Sequence, residues 1–146
     1  MPIVSGIATP DRALMRAGVL LFLVGLLTGL AVPVLQVPRM GLSSHLVATM
    51  SGMFLIVLGL IWSRLVLPAW AGTTIFWAAL YGCFANWLAT LLSAMWGAAA
   101  VMPIAGGGAT STPMAEAIVA ALLGSLSLAM ILVCVLVLWG LRATAR

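Results

Sequence analysis

The sequence contains four long apolar stretches, which restrict the chain to one class of fold. They cover residues 13–35, 44–67, 73–97 and 114–141, and each is close to the roughly 20 residues that a helix needs to cross a bilayer. No stretch between them is long enough for a separate soluble domain. The sequence therefore predicts an all-α integral membrane protein, a four-transmembrane-helix bundle that forms a single transmembrane domain over residues 1–146.

The composition supports a lipid bilayer as the environment and excludes nucleic acid as a partner. Of the 146 residues, 65% are hydrophobic and 5% are charged, and the basic residues are six arginines that form no patch. Cys83 and Cys134 fall inside predicted spans, where a thiol behaves as a small apolar group. These cysteines indicate neither a disulfide nor a redox site.

The arginines predict how the chain is oriented. Four spans place both termini and the loop between spans two and three on one side, and that side receives the arginines at 12, 16, 64, 142 and 146. The other side receives Arg39, with Glu116. Since positive residues collect on the inner side, both termini of this multi-pass protein are expected in the cytoplasm, with His45 near the opposite face.

The only histidine lies at the start of the second span. Pro38 and Gly41 are expected to interrupt the chain before it, and Ser43 or Ser44 to cap the new helix, which places His45 in its first turn.

Two glycines continue the face of the helix on which His45 lies, at steps of seven residues. Gly52 and Gly59 therefore predict a groove below the imidazole. Two readings of His45 stay open, because a histidine near a helix end is either a ligand or an interfacial residue that contacts lipid headgroups.

The third span carries a stripe of small and polar residues that is predicted to face away from lipid. The stripe consists of Gly82, Asn86, Thr90, Ser93 and Gly97. It is either a helix-packing surface or the wall of a pocket roofed by His45, with Tyr81 beside it. Asn86 requires a hydrogen-bond partner, because an unbonded amide inside a membrane is costly.

The fourth span has a clear start signal. Thr112 is predicted to cap it, Pro113 to be its first residue, and Glu116 to lie in its first turn. Arg39 and Glu116, on the same side of the membrane, also allow a loop ion pair, which contributes little at an exposed surface.

Several chemistries are excluded by the residues present. One histidine and two separated cysteines cannot form a zinc site, no buried acid completes a Ser-His-Asp triad, and no phosphate-binding glycine motif precedes a helix. Haem remains possible, because the porphyrin supplies four nitrogens and one imidazole completes a five-coordinate iron.

The sequence resembles the hydroxylaminobenzene mutases of nitroarene-degrading bacteria across all four spans. The resemblance lies in residues 37–46 (VPRMGLSSHL), 50–54, 59–62, 81–90 and 102–106. The small four-helix architecture is also similar to that of styrene oxide isomerase, a membrane enzyme that holds haem b between the protomers of a trimer with a histidine axial ligand.

The resemblance implies a mutase that converts hydroxylaminobenzene, an aryl hydroxylamine, to 2-aminophenol with the help of haem b in a homotrimer. It implies that His45 binds the haem iron and that Arg39 contacts a propionate. Asn86 and Tyr81 would orient the substrate or handle protons. Ser51 would add a hydrogen bond at a position where the family usually has asparagine.

Two alternatives accompany this interpretation. In the first, the chain is a haem-dependent epoxide isomerase of the styrene oxide isomerase type. In the second, it is a non-catalytic membrane subunit whose small-residue stripes are assembly surfaces. Substrate trials distinguish the two enzymes. A visible absorbance spectrum distinguishes either enzyme from a colourless subunit.

Overall fold

The structure is a computed structural model that describes residues 9–142. Its helices are α1 (Pro10–Ala31), α2 (Pro38–Ile61), α3 (Ala69–Trp96), the short α4 (Pro103–Gly106) and α5 (Pro113–Arg142). Short 3₁₀ turns, Val32–Val34 and Trp62–Arg64, extend α1 and α2. The described part contains no strand, and its four long helices are apolar and long enough to cross a membrane. The predicted all-α four-helix architecture of a multi-pass membrane protein is confirmed.

Helix α2 begins six residues earlier than the sequence predicts, at Pro38 instead of Ser44. Proline fits the first position of a helix, where its missing N–H needs no partner. The two serines therefore lie inside α2 and do not cap it, and the Ser43 hydroxyl donates to the Arg39 carbonyl at 3.1 Å. His45 lies about 10 Å along the helix axis from Pro38. The prediction that it occupies the first turn is wrong.

Helices α1 and α2 meet backbone to backbone. A Cβ built on Gly18 would lie 2.6 Å from the Gly52 carbonyl oxygen, and one built on Gly59 would lie 2.7 Å from the Asp11 carbonyl oxygen. The glycines of α1 therefore form a helix-packing surface. The groove predicted below His45 along Gly52 and Gly59 is absent, because α1 fills it.

Helix α3 lies in the middle of the molecule. It packs on α2 and on α5, while α1 packs chiefly on α2, so α1 and α5 form the two ends of a row. The small-residue stripe faces inward as predicted, since Gly82, Thr90, Ser93 and Gly97 are buried and Asn86 is half-buried. Only 17% of the α5 span is buried, against 39% for α3. Most of the α5 surface is thus left for lipid or another subunit.

The connection from α3 to α5 is fixed by hydrogen bonds at both ends. Gly97 ends α3 in the left-handed region, with φ of 70°. Thr112 caps α5 by accepting the Ala115 N–H at 3.3 Å, as predicted. The Glu116 carboxylate accepts two loop N–H groups, those of Ala100 at 3.0 Å and Ser111 at 2.9 Å. Glu116 therefore joins the start of the loop to its end.

Candidate active site

His45 is half-buried against α1. Its Nδ1 lies 2.8 Å from the Gly25 carbonyl oxygen. Because a carbonyl only accepts hydrogen bonds, Nδ1 is the donor in this contact, and in the neutral form of an imidazole the lone pair is then on Nε2. Nε2 makes no hydrogen bond with residues 9–142. This is the arrangement of a histidine that ligates a metal through one nitrogen and is oriented through the other.

A separate cleft of about 310 Å³ lies between α2, α3 and α5. Its lining comprises Val47, Met50, Ser51, Phe54, Cys83, Asn86 and Met130. The walls are mostly apolar, with the Asn86 carboxamide and the Ser51 hydroxyl as the main polar groups. Such a combination is typical of a small-molecule site, in which apolar walls hold the ligand and a few polar groups orient it.

The Asn86 carboxamide forms no hydrogen bond with any of the described residues 9–142, although it lies inside a membrane span. Its backbone carbonyl accepts the Thr90 hydroxyl at 2.9 Å, but the side chain is left open to the cleft. The sequence requires a partner for this amide. Residues 9–142 supply none, so the position of Asn86 suits a ligand.

His45 and the cleft lie on opposite faces of α2. Phe54, in the cleft lining, follows His45 by nine residues, which is two and a half turns of an α-helix. His45 contacts α1, whereas the cleft opens towards α3 and α5. One chain therefore brings Ser51 and Asn86 together but does not bring His45 to them. The pocket expected between His45 and Asn86 is not formed within one chain.

Tyr81 lies outside the cleft lining and is 44% exposed. Its hydroxyl is 2.6 Å from the Ser125 hydroxyl on α5. Ser125 also lies 3.0 Å from the Leu122 carbonyl, to which it donates. The Tyr81 hydroxyl is then the donor to Ser125, and it links α3 to α5.

Arg39 and Glu116 do not form the ion pair that the sequence allowed. The exposed Arg39 guanidinium donates to the Ile104 carbonyl at 3.1 Å, while Glu116 bonds the two loop N–H groups described above. Arg39 thus fastens α4 to the start of α2, on the same side of the membrane as His45. A guanidinium has five N–H donors, so further donors stay open for an anion.

Sequence reasoning missed the role of Trp87. Its indole N–H donates to the Thr28 hydroxyl of α1 at 3.1 Å, and its carbonyl accepts the Ser44 hydroxyl of α2 at 3.2 Å. Trp87 therefore connects three helices next to His45. The available signal was a threonine between Gly25 and Gly29, an unusual polar residue in an otherwise apolar run.

The described residues contain no group of three or more His, Cys, Asp or Glu side chains that could hold a metal ion. A cofactor that brings most of its own ligands needs only one protein donor, and a neutral imidazole is a common one.

Comparison with known proteins identifies the family. The sequence model of the styrene oxide isomerase family matches residues 10–142. Hydroxylaminobenzene mutase HabB of Ectopseudomonas oleovorans is 53% identical over 133 residues, which cover 90% of this chain and 81% of that protein. Hydroxylaminobenzene mutase HabA of the same organism is 48% identical over 130 residues, covering 88% and 96%. No solved structure matches the chain significantly. The chain therefore belongs to the styrene oxide isomerase family, within its hydroxylaminobenzene mutases, and is an isomerase.

Proposed function

We propose that this isomerase converts aryl hydroxylamines, with hydroxylaminobenzene as the type substrate, to ortho-aminophenols such as 2-aminophenol. The observation that carries the proposal is the unpartnered Asn86 carboxamide in an apolar cleft beside Ser51. The names of the two mutase relatives supply the substrate class.

The reaction is balanced without any redox partner, because substrate and product contain the same atoms. The N–O bond breaks and a C–O bond forms at the ortho carbon. That carbon loses its ring proton, and the nitrogen gains one proton. Asn86 and Ser51 bind the N–OH group by donating to and accepting from it, while Phe54 and Met130 contact the aromatic ring and exclude water. Tyr81 lies outside the cleft lining and its hydroxyl donates to Ser125, so no step of this proposal uses it.

Haem b is the cofactor that we propose, and His45 would hold it through Nε2. The residues fit this group: the Gly25 carbonyl fixes the proton on Nδ1, and Nε2 is left with its lone pair and no partner in residues 9–142. Arg39 is assigned to a propionate through the guanidinium donors that Ile104 does not use. When bound, ferric haem supplies a Lewis acid for the hydroxyl oxygen.

A homo-oligomer, with a trimer preferred, completes the site in this proposal. His45 and the Asn86 cleft lie on opposite faces of α2, so a substrate cannot reach both in one chain. A second copy can place its cleft against the first copy's His45. The sparsely buried α5 leaves a large surface for such contacts.

We further propose that the protein lies in the inner membrane with both termini in the cytoplasm. Arg12 and Arg16 begin α1, and Arg64 and Arg142 lie at the ends of the second and fourth spans, so these four arginines share one side of an up-and-down bundle. Arg146 lies outside the described residues. Reporter fusions at the termini and in the loop of residues 98–112 test the orientation, and an outward-facing terminus would contradict it.

A second candidate is epoxide isomerisation, which the match to the styrene oxide isomerase family favours. The non-catalytic subunit is not retained, because the chain is an isomerase by its relatives.

The test is a pair of substrate trials on purified, haem-loaded protein. Hydroxylaminobenzene is expected to give 2-aminophenol, and styrene oxide is expected to be a poor substrate. The His45→Ala variant is the control, expected to lose both the Soret band and turnover. Rapid isomerisation of styrene oxide with no 2-aminophenol formed would replace the proposal with the second candidate.

A further inference from the structure

Gly29 of α1 leaves a gap that the His45 ring occupies. A Cβ built on Gly29 would lie 2.8 Å from Nδ1, 3.1 Å from Cε1 and 3.2 Å from Cγ of His45, and these are its three nearest atoms. The gap therefore faces the imidazole. The other glycines of α1 differ, since a Cβ on Gly18 would meet the α2 backbone and Ile56, and one on Gly25 would meet Ala48 and Thr49.

The gap gives His45 access to a carbonyl that is normally covered. In an α-helix the carbonyl of residue 25 accepts the N–H of residue 29, and the side chain at residue 29 lies nearby. With no side chain at Gly29, the oxygen of Gly25 accepts a second hydrogen bond, from Nδ1 of His45 at 2.8 Å. The two glycines thus act together, one by its carbonyl and the other by its missing side chain.

We infer that Gly29 is a positioning residue for His45. It admits the ring to the Gly25 carbonyl, which fixes the Nδ1–H tautomer and leaves the lone pair on Nε2. Any larger residue at this position displaces the ring and releases the tautomer.

Trp87 supports this arrangement from α3. Its indole N–H bonds Thr28, next to Gly29, and its carbonyl bonds Ser44, next to His45. One residue thus holds both helices at the level of the His45–Gly25 hydrogen bond. The distance between Nδ1 of His45 and the Gly25 carbonyl is therefore fixed by α3 as well as by the contact between α1 and α2.

The tautomer is a property of the chain itself. Only its consequence, tighter iron ligation through Nε2, rests on the proposed function. Loss of a hydrogen bond that orients a metal-ligating histidine costs roughly 10- to 100-fold in affinity. Haem affinity of Gly29→Ala is expected to fall by that factor.

The experiment uses the full chain, free of haem, with ¹⁵N-labelled histidine in lipid nanodiscs at a pH where the imidazole is neutral. The chain contains one histidine, so the ring gives one pair of nitrogen signals. The wild type is expected to show a protonated Nδ1 and an unprotonated Nε2. Gly29→Ala is expected to show averaged signals from both tautomers.

Two controls separate positioning from packing. Gly18→Ala pushes the same two helices apart at a point that does not contact His45, and it is expected to keep the wild-type ring signals. Gly124→Ala, where a Cβ meets nothing within 4 Å, is expected to change nothing. Haem titrations of the same proteins give the affinities.

The wild-type spectrum alone decides the tautomer even if Gly29→Ala does not fold. A proton on Nε2 in the wild type would overturn the inference. Unchanged ring signals in Gly29→Ala would also overturn it, as would a loss of the Nδ1–H tautomer in Gly18→Ala as large as that in Gly29→Ala. If the expected tautomer is found and the protein binds no haem, the role of Gly29 stands and the haem proposal fails.

Discussion

Replacing Asn86 by leucine separates substrate binding from folding. The Asn86 carboxamide bonds none of the residues 9–142, so Asn86→Leu removes no hydrogen bond from the described fold while it keeps the branched shape of the side chain. Two lost hydrogen bonds to substrate, at about 0.5–1.5 kcal/mol each, amount to roughly 1–3 kcal/mol. Since 1.36 kcal/mol is a factor of ten, kcat/KM is expected to fall roughly 5- to 150-fold.

Three quantities are measured on the detergent-purified protein. They are the initial rate of hydroxylaminobenzene turnover, the Soret absorbance and the thermal melting curve. The variant is expected to keep its haem and to melt at or above the wild-type temperature, because an unbonded amide has been removed from an apolar setting. Thr74→Val is the matched control on the same helix. The Thr74 hydroxyl donates to the Trp70 carbonyl at 2.9 Å, away from the cleft, so kcat/KM should be unchanged.

A kcat/KM of Asn86→Leu within about twofold of the wild type, a difference worth well under 1 kcal/mol, would show that Asn86 does not bind the substrate. A drop of several degrees in melting temperature would contradict the expected stability, because the amide would then have a structural partner.

Three further variants test the fold around the site. Gly52→Ala places a Cβ 2.7 Å from the Gly18 carbonyl oxygen and should destabilise the protein by about 1–3 kcal/mol; unchanged melting would contradict the close contact. Trp87→Phe removes the indole donor to Thr28 and should lower the free energy of unfolding by about 1 kcal/mol, measured by thermal melting. Stability equal to that of the wild type would argue against that hydrogen bond. Glu116→Gln keeps one acceptor oxygen for two loop N–H groups and should speed proteolysis within residues 98–112; wild-type cleavage rates would oppose this assignment.

The helix count and type could be predicted because run length alone decides whether an apolar helix crosses a bilayer. The start of α5 could also be predicted, because Thr112 and Pro113 form a local cap signal. The start of α2 could not. Proline interrupts a helix from within and fits its first position equally well, and the sequence around Pro38 satisfies both readings.

The site could be predicted only in part, because its parts are joined by contacts between helices. The spacing of Gly52 and Gly59 marks a face of α2, but nothing local shows that α1 covers it. Ser51 and Asn86 share a cleft only because α2 packs on α3. The separation of His45 from that cleft follows from helix periodicity, once the cleft lining is known.

In the proposed oligomer, His45 of one chain and the Asn86 cleft of another form a single active site. The direct test is co-expression of His45→Ala and Asn86→Leu chains in equal amounts, followed by a measurement of hydroxylaminobenzene turnover by the mixed oligomers. Each variant alone is expected to have low activity. If chains mix at random, about a quarter of the sites pair an intact His45 with an intact neighbouring cleft, and about a quarter of wild-type activity should return. Activity no higher than the mean of the two separate variants would contradict an active site shared between two chains.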